Sequence, residues 1–145
     1  MKIFVINGVN LNMLGTREPE HYGRETLGEI NSEIAEKAKS MEIDTKFYQS
    51  NIEGELINFI HAAKDGGAAG IILNAGAFTH YSYAIRDAIS SVDIPVIEVH
   101  LSNLHRRESF RHESVLAGVC AGQIAGFGKY SYMMALQYFK MINIF

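Results

Sequence analysis

The sequence predicts an α/β protein in which strands and helices alternate around a parallel sheet. Short apolar runs rich in β-branched residues alternate along the chain with longer segments whose apolar residues recur every three or four positions. Parallel neighbouring strands need long crossover connections, and helices usually provide them. The run at residues 69–73 is apolar on both faces, which is typical of a strand buried inside such a sheet. Five strands in 145 residues indicate a three-layer, doubly wound, flavodoxin-like sheet, with the strand order left open.

The first half of the chain contains two predicted strands and two predicted helices. Residues 2–6 form a β-branched and aromatic run, and the pair Asn7-Gly8 at its end favours a turn. Residues 26–41 place apolar side chains on one face and charged side chains on the other, which predicts a surface helix. A strand at residues 44–48 and a helix at residues 53–64 follow in the same order.

The second half continues the alternation to the end of the chain. The buried strand at residues 69–73 is followed by a helix at 81–90, a strand at 95–99, a fifth strand at 118–124 and a closing helix at 130–142. The fifth strand would contain Cys120, and the closing helix is rich in Met and aromatic residues. No linker interrupts the pattern, so residues 1–145 are expected to form a single domain.

Composition narrows the class of function. The chain is 48% apolar and 20% charged, which is typical of an ordinary globular protein. A net charge of −3 and a pI near 6.0 give no reason to expect a nucleic-acid partner. No apolar run approaches the ~20 residues of a membrane span, no signal peptide opens the sequence, and one cysteine cannot form an intramolecular disulfide. A cytoplasmic protein without a membrane partner is expected.

Polar residues cluster where the predicted strands end. In open α/β sheets ligands bind beyond the carboxyl ends of the strands, so these positions are the ones to examine. Amides, two histidines, a tyrosine and three arginines follow four of the five strands, and the stretch at residues 7–23 is the most prominent. Any single loop Asn is explained well enough by turn formation. Together these groups favour a binding site for a small, oxygen-rich anion.

Metal and nucleotide signatures are absent from the sequence. Gly126-Phe127-Gly128 lacks the third glycine of a dinucleotide turn, and no histidine pair has the spacing of zinc ligands. Cys120 has no nearby base in sequence, so a buried thiol is a better interpretation than a nucleophile. Neither a metal nor a cofactor is expected.

A series of ordered motifs runs along nearly the whole chain. They are Asn7-Gly8-x-Asn10-Leu11, Leu14-Gly15-x-Arg17-Glu18-Pro19-x-x-Tyr22-Gly23, Gln49-Ser50-Asn51-x-Glu53-Gly54, Asn74-x-Gly76-Ala77-x-Thr79-His80, Glu98-Val99-His100-Leu101-Ser102-Asn103, Arg107-Glu108-x-Phe110-Arg111 and Gly118-x-x-x-Gly122. In this combination the chain resembles type II 3-dehydroquinate dehydratase. Val9, Phe78, Tyr81 and Arg106 depart from the usual family pattern.

The resemblance implies a lyase that removes water from 3-dehydroquinate to give 3-dehydroshikimate, by anti elimination through an enolate and without a cofactor. Tyr22 would then be the base that takes the proton. An ordinary tyrosine, with a pKa of about 10, is a poor base at neutral pH unless a cation stabilises its phenolate. Arg17, five residues earlier in the same loop, is expected to be that cation.

Three further residues complete the implied chemistry. Asn10 resembles the asparagine that stabilises the enolate, through an ordered water. His100 would be the acid that protonates the departing hydroxyl. Glu98 lies two residues earlier and therefore on the same face of the strand, where a carboxylate can orient the imidazole and favour its charged form.

The resemblance also implies a binding set and an assembly. The substrate would be held by Asn74, His80, Asp87, the backbone of Leu101, Ser102 and Arg111. Arg107 and Arg111 lie one helical turn apart and both could face the anion, and Arg111 is the preferred one. Asp87 would reach a site in a neighbouring subunit, within a homododecamer built as a tetramer of trimers.

Two questions stay open at this level. A flavodoxin-like binding or signalling module, or another cofactor-free lyase or isomerase using the same Tyr and Arg pair, would share much of the pattern. The resemblance implies a role in the shikimate pathway, which leads to chorismate and the aromatic amino acids. The sequence does not separate that biosynthetic role from quinate breakdown.

Overall fold

The computed structural model describes residues 1–16 and 18–143, and Arg17 and residues 144–145 lie outside this description. The strands are β1 (Lys2–Asn7), β2 (Asp44–Gln49), β3 (Gly70–Asn74), β4 (Val96–His100) and β5 (Gly122–Ala125). The helices are α1 (Pro19–Tyr22), α2 (Leu27–Ser40), α3 (Glu53–Asp65), α4 (Tyr83–Ser90) and α5 (Tyr130–Ile142). All strand pairs are parallel, in the order β2-β1-β3-β4-β5, so the predicted flavodoxin-like fold class is confirmed.

Two apolar cores lie on opposite faces of the sheet. On β1, Ile3 and Val5 face α2 and α5, whereas Phe4 and Ile6 face α3 and α4. Successive strand residues point to opposite faces, so a sheet covered on both sides needs apolar residues at every position. This explains why β1 and β3 read as unbroken apolar runs in the sequence.

Capping residues set where two of the helices begin. The Thr26 hydroxyl accepts the Glu29 N–H at 3.2 Å and starts α2. The Ser82 hydroxyl accepts the Ile85 N–H at 3.0 Å, so α4 starts at Tyr83 rather than at residue 81 as predicted. Helix α5 has the bounds that the sequence predicts. None of the described helices has the length and apolar character needed to cross a membrane.

The predicted start of the fifth strand, residue 118, is wrong. Residues Ala117–Val119 form a 3₁₀ turn, because the Ser114 hydroxyl accepts the N–H groups of Leu116 and Ala117. The ladder to β4 begins only where the Ala121 N–H donates to the Val96 carbonyl. Cys120 therefore lies in the bend before β5 and not within a strand.

The sheet register gathers the strand ends that matter for function. Asn7 at the end of β1 pairs with Asn74 at the end of β3, which is the position where the strand order reverses. The chain then passes so close to β3 that a Cβ on Gly8 would lie 2.4 Å from the carbonyl oxygen of Ala75. Only glycine fits there, and the polar loops of β1, β3 and β4 can therefore surround one cleft.

Candidate active site

A cleft lies beyond the carboxyl ends of β1, β3 and β4, where the sequence predicts a site. Its polar lining consists of Asn10, Tyr22, Asn74, His80, His100, Ser102, Arg107 and Arg111. A second cleft lies beside it, and Tyr22, Leu101, Ser102 and Arg107 line both. Tyr22 and Arg107 therefore lie at the boundary between the two clefts.

Asn10 is held in the cleft by the segment that follows β2. Its backbone has φ 67°, a left-handed conformation that Asn tolerates better than most residues. The Asn10 N–H donates to Asn51 Oδ1 at 2.8 Å, and Gln49 Nε2 donates to the Gly8 carbonyl at 3.2 Å. The Gln-Ser-Asn motif thus supports the loop that carries Asn10.

Tyr22 ends the four-residue helix α1 at the mouth of the cleft. Pro19 is suited to the first turn of a helix because its missing N–H would have no helical partner there. Gly23 ends the helix with φ 79°, a conformation that other residues rarely adopt. The side chain of Tyr22 is half-buried and packs against the core beneath α2 and α5.

Within the part of the chain that the structure describes, the cationic side chain of Arg107 contacts Tyr22. Its Nη1 donates to the Tyr22 hydroxyl oxygen at 2.5 Å, and its Cζ lies 5.0 Å from the centre of the tyrosine ring. The same Nη1 lies 3.3 Å from Ser102 Oγ, and Nη2 lies 3.5 Å from Glu18 Oε2. The side chain is only 3% exposed, so its charge acts on Tyr22 with little screening by water.

His100 and Glu98 form a buried pair on β4. His100 Nε2 lies 2.6 Å from Glu98 Oε2, and both side chains are buried. Burial alone would raise the pKa of Glu98, but hydrogen bonds from His100, Ser114 and Gln123 outweigh it and hold the pKa below its usual range. Glu98 is therefore a carboxylate at neutral pH, and the imidazole N–H at Nε2 donates to it.

His80 presents a neutral imidazole to the same cleft. Burial lowers the pKa of His80, and nearby positive charge at His100 and Arg111 lowers it further, although the hydrogen bond to the Glu113 carbonyl acts in the opposite direction. That carbonyl lies 2.7 Å from Nδ1, so Nδ1 carries the proton and donates. Nε2 is then left as an acceptor for a ligand hydroxyl.

Asn74 is held from below by a buried tyrosine. Asn74 Nδ2 donates to the Tyr132 hydroxyl at 2.9 Å, and that hydroxyl donates to Asn7 Oδ1 at 2.6 Å. Asn74 Oδ1 accepts the Gly76 N–H at 3.2 Å. One of the two amide hydrogens of Asn74 remains for a ligand in the cleft.

The sequence matches the family described as Dehydroquinase class II over residues 1–140. This chain belongs to that family. A 3-dehydroquinate dehydratase of Bacillus cereus strain G9842 is 58% identical over 135 residues, which are 93% of this chain and 92% of the relative.

Solved structures of the family share the architecture. The type II dehydroquinase of Butyrivibrio crossotus superimposes with a TM-score of 0.94 and 52% identity, covering 96% of this chain and 97% of that one. The type II dehydroquinase of Propionibacterium acnes gives a TM-score of 0.93 at 37% identity, covering 97% and 96%. The resemblance inferred from the motifs is confirmed, and the chain is a hydro-lyase of the type II dehydroquinases.

Most residues implied by the family resemblance come together in one place. Asn10, Tyr22, Asn74, His80, His100, Leu101, Ser102 and Arg111 line the cleft, and Glu98 lies beneath His100. Arg17 lies outside the described residues. Asp87 is exposed on α4 and does not line the cleft of its own chain. In the described part of the chain, no three His, Cys, Asp or Glu side chains come together as a metal site.

Arg107 is the residue whose position the sequence interpretation undervalued. Arg111, which was preferred, lines the cleft but also pairs with Glu108 at 3.0 Å. Arg107 instead turns inward to Tyr22, 85 positions earlier in the chain. The two arginines do not share one helix, because Leu104–Arg106 and Ser109–Arg111 are separate 3₁₀ turns. The spacing of the pair was the available signal, and it could not say which arginine faces inward.

Proposed function

We propose that this chain removes water from 3-dehydroquinate to give 3-dehydroshikimate, with Tyr22 as the base and His100 as the acid. The observation that carries the assignment of roles is that Tyr22, Arg107 and His100 line one cleft, with Tyr22 in contact with Arg107 and His100 in contact with Glu98. Elimination next to a ketone needs a base for the proton and an acid for the leaving hydroxyl, and the two pairs provide one of each.

Tyr22 acts first, as the phenolate. It takes the proton from the carbon beside the ketone, and the C–H electron pair moves to the carbonyl oxygen to form an enolate. The Arg107 guanidinium at 2.5 Å stabilises the phenolate, and Arg17 is proposed to add a second positive charge. Asn10 is proposed to stabilise the enolate oxygen through an ordered water.

His100 completes the elimination. The enolate re-forms the ketone and expels the hydroxyl group, which takes the proton from His100 and leaves as water. The negative Glu98 stabilises the protonated imidazole before transfer and keeps its ring in one orientation.

The remaining cleft residues bind the substrate. Arg111 and Ser102, with the backbone of Leu101, suit a carboxylate, because they combine a positive charge with hydrogen-bond donors. Asn74 and neutral His80 suit hydroxyl groups, since one offers an amide N–H and the other an imidazole acceptor.

The decisive experiment follows the enone absorbance of the product with wild-type protein, Tyr22→Phe and His100→Gln. Wild-type protein should turn over 3-dehydroquinate. Each variant should lose about 100-fold to 10,000-fold in kcat and still bind the substrate, since general acid–base catalysis contributes that much. Folded wild-type protein without turnover would refute the proposed function, and Tyr22→Phe with normal turnover would remove Tyr22 from its role.

We also propose that the active enzyme is a cytoplasmic homododecamer in which Asp87 completes a neighbouring subunit's site. The exposed position of Asp87 on α4, away from its own cleft, supports this arrangement. Light scattering should give the mass of twelve chains. Inactive Asp87→Asn and Tyr22→Phe chains should regain activity when refolded together, because some sites would receive an intact residue from each. Mixed oligomers without activity would refute the shared site.

We propose in addition that turnover needs neither a metal nor a cofactor, because the charged and hydrogen-bonding side chains of the cleft provide the acid, the base and the enolate stabilisation. Dialysis against a chelator should leave kcat unchanged. A loss that added Mg²⁺ or Zn²⁺ reverses would contradict this.

A further inference from the structure

The carboxylate of Glu98 accepts hydrogen bonds from three side chains, two of which have no role in the proposed chemistry. Oε2 lies 2.6 Å from both His100 Nε2 and Gln123 Nε2, and Oε1 lies 2.6 Å from Ser114 Oγ. Glu98 is fully buried. A buried charge is costly unless it is fully paired, so these contacts decide its ionisation.

Ser114 can only donate to Glu98. Its hydroxyl oxygen accepts the Leu116 N–H at 3.1 Å and the Ala117 N–H at 2.9 Å, which uses both lone pairs. The single hydroxyl hydrogen therefore points to Glu98 Oε1. A proton on that oxygen would remove this acceptor and leave the Ser114 hydrogen without its partner.

Gln123 occupies the other oxygen in the same way. The β4–β5 register places Gln123 directly opposite Glu98, and its amide nitrogen can only donate. Both Glu98 oxygens thus accept hydrogen bonds, from two different segments of the chain. The His100 nitrogen that contacts Oε2 must then donate as well.

We propose that Ser114 and Gln123 are positioning residues for proton transfer by His100. They keep Glu98 as a carboxylate, so His100 always carries a proton on Nε2 and presents Nδ1 to the substrate. Without them Glu98 could take up a proton, and the imidazole could turn or change tautomer. This inference rests on the proposed role of His100 as the acid.

The other titratable groups near Glu98 do not compete for this role. His80 lies in the turn after β3. Burial lowers its pKa more than the negative charge of Glu98 raises it, so His80 stays neutral. Cys120, from the bend before β5, also lies near, and burial together with the Glu98 charge raises its pKa to about 12. Among the described neighbours, the protonatable partner of the carboxylate is therefore His100.

The test is the pH dependence of kcat for Ser114→Ala, Gln123→Met and the double variant. Each single change should lower kcat about 10-fold with KM changed less than twofold, because one charge-assisted hydrogen bond is lost and no substrate contact changes. The alkaline limb of the profile should move to lower pH, since the imidazolium loses its firmly ionised partner. Equal losses of kcat at every pH would overturn the proposal.

Two control variants separate positioning from simple loss of structure. Ser114→Thr keeps a hydroxyl and should restore the wild-type profile. Ser82→Ala is matched to Ser114→Ala, because Ser82 also accepts a helical N–H and donates to a carboxylate, Glu53 Oε2 at 2.6 Å. It should lower stability without moving the profile. A Ser114→Thr protein that folds yet keeps the shifted profile, or a Ser82→Ala protein that shows the same shift, would overturn the proposal.

A measurement of folding makes the outcome independent of turnover. The double variant should be destabilised most at neutral pH, and its difference from wild type should shrink as acid protonates Glu98 in both proteins. A difference in stability that is constant with pH would overturn the proposal that Ser114 and Gln123 keep Glu98 ionised. Absence of turnover in the wild type, with this pH-dependent difference present, would refute only the proposed function.

Discussion

We call His100 with Glu98 the acid side of the cleft and Tyr22 with Arg107 the base side, after their proposed roles. The two sides are built in different ways. His100 and Glu98 lie on β4, a strand whose five residues are all buried, and Glu98 also contacts Ser114, in the half-buried segment before β5, and Gln123, on β5. Tyr22 instead lies on a four-residue helix with no buried residue. Its partner Arg107 comes from the loop after β4, so the proposed base depends on contact between a short helix and a loop.

This difference predicts different consequences of mutation. Glu98 and His100 are buried in the core, so their loss should reduce both stability and turnover. Side chains on the base side belong to loops that contribute little to global stability, so their loss should reduce turnover far more than stability. The following variants test this separation, from the largest expected effect to the smallest.

Arg107→Met should give the largest loss, on the base side. Removing the donor to the Tyr22 hydroxyl should lower kcat about 100-fold to 1,000-fold, as for other preorganised donors in active sites. The methionine fills the space of the arginine stem, so the free energy of unfolding should change by only about 1 kcal/mol. Steady-state kinetics and chemical denaturation measure the two quantities.

Arg107→Lys is the control, since it keeps the charge but not the planar guanidinium. It should recover part of the activity. Arg107→Met with kcat within threefold of wild type would show that Arg107 does not support the base.

Glu98→Gln should affect both properties, because it removes a buried charge from the acid side. Burial raises the pKa of Glu98, but its three hydrogen bonds together lower the pKa by a larger amount. The pKa in the folded protein therefore lies below 4.5. The stability that Glu98 contributes is therefore present above about pH 4.5 and is lost as the pH falls through the folded value. Urea denaturation should show a deficit of about 2 kcal/mol at pH 7 that closes towards pH 3. A deficit that is unchanged at low pH would contradict this account of Glu98.

Tyr132→Phe tests whether the core also supports substrate binding. Burial raises the pKa of Tyr132, so its hydroxyl stays protonated and donates to Asn7. Its removal leaves the Asn74 and Asn7 amides without this partner and should cost about 1 to 3 kcal/mol of stability. KM should rise several-fold, while kcat changes little, because Asn74 is proposed to bind and not to react. A protein of lower stability with unchanged KM would separate Asn74 from binding.

Asn51→Ala should have the smallest effect. The Asn10 N–H loses its acceptor, so the left-handed turn at Asn10 becomes less well held. We expect about 1 kcal/mol of lost stability and a few-fold decrease in kcat. Asn51→Asp keeps the acceptor and should behave like wild type in both measurements. A large loss in Asn51→Asp would point to a role for Asn51 other than supporting Asn10.

Local patterns were sufficient to predict most of the fold. Helix α5 matches its predicted bounds residue for residue, and the other predicted strands and helices except β5 differ from prediction by at most two residues at either end. The short helix α1 was not predicted, because the segment that contains Pro19 and Tyr22 was interpreted as a loop. The prediction of where β5 starts was wrong because glycine and small apolar residues around Cys120 fit a strand and a turn equally well. The turn is favoured by the hydroxyl of Ser114, a residue outside that run, because it accepts the N–H groups of Leu116 and Ala117.

The candidate site was predictable only in part, for a related reason. The motifs identified the residues around the cleft, because these follow strand ends and strand ends meet at one edge of a parallel sheet. They did not identify Arg107 as the partner of Tyr22, or Ser114 and Gln123 as partners of Glu98. These contacts join residues 85, 16 and 25 positions apart, and no periodic pattern connects them.

The sequence by itself determined the α/β class, the order of the elements and membership of the type II dehydroquinases. Contiguous residues carry that information, through the period of the apolar side chains and the order of the motifs. Only the tertiary structure decided the strand order, the inward turn of Arg107 and the donors that fix Glu98. The physical reason is that these features depend on sheet register and loop closure, which bring together side chains that no local pattern relates.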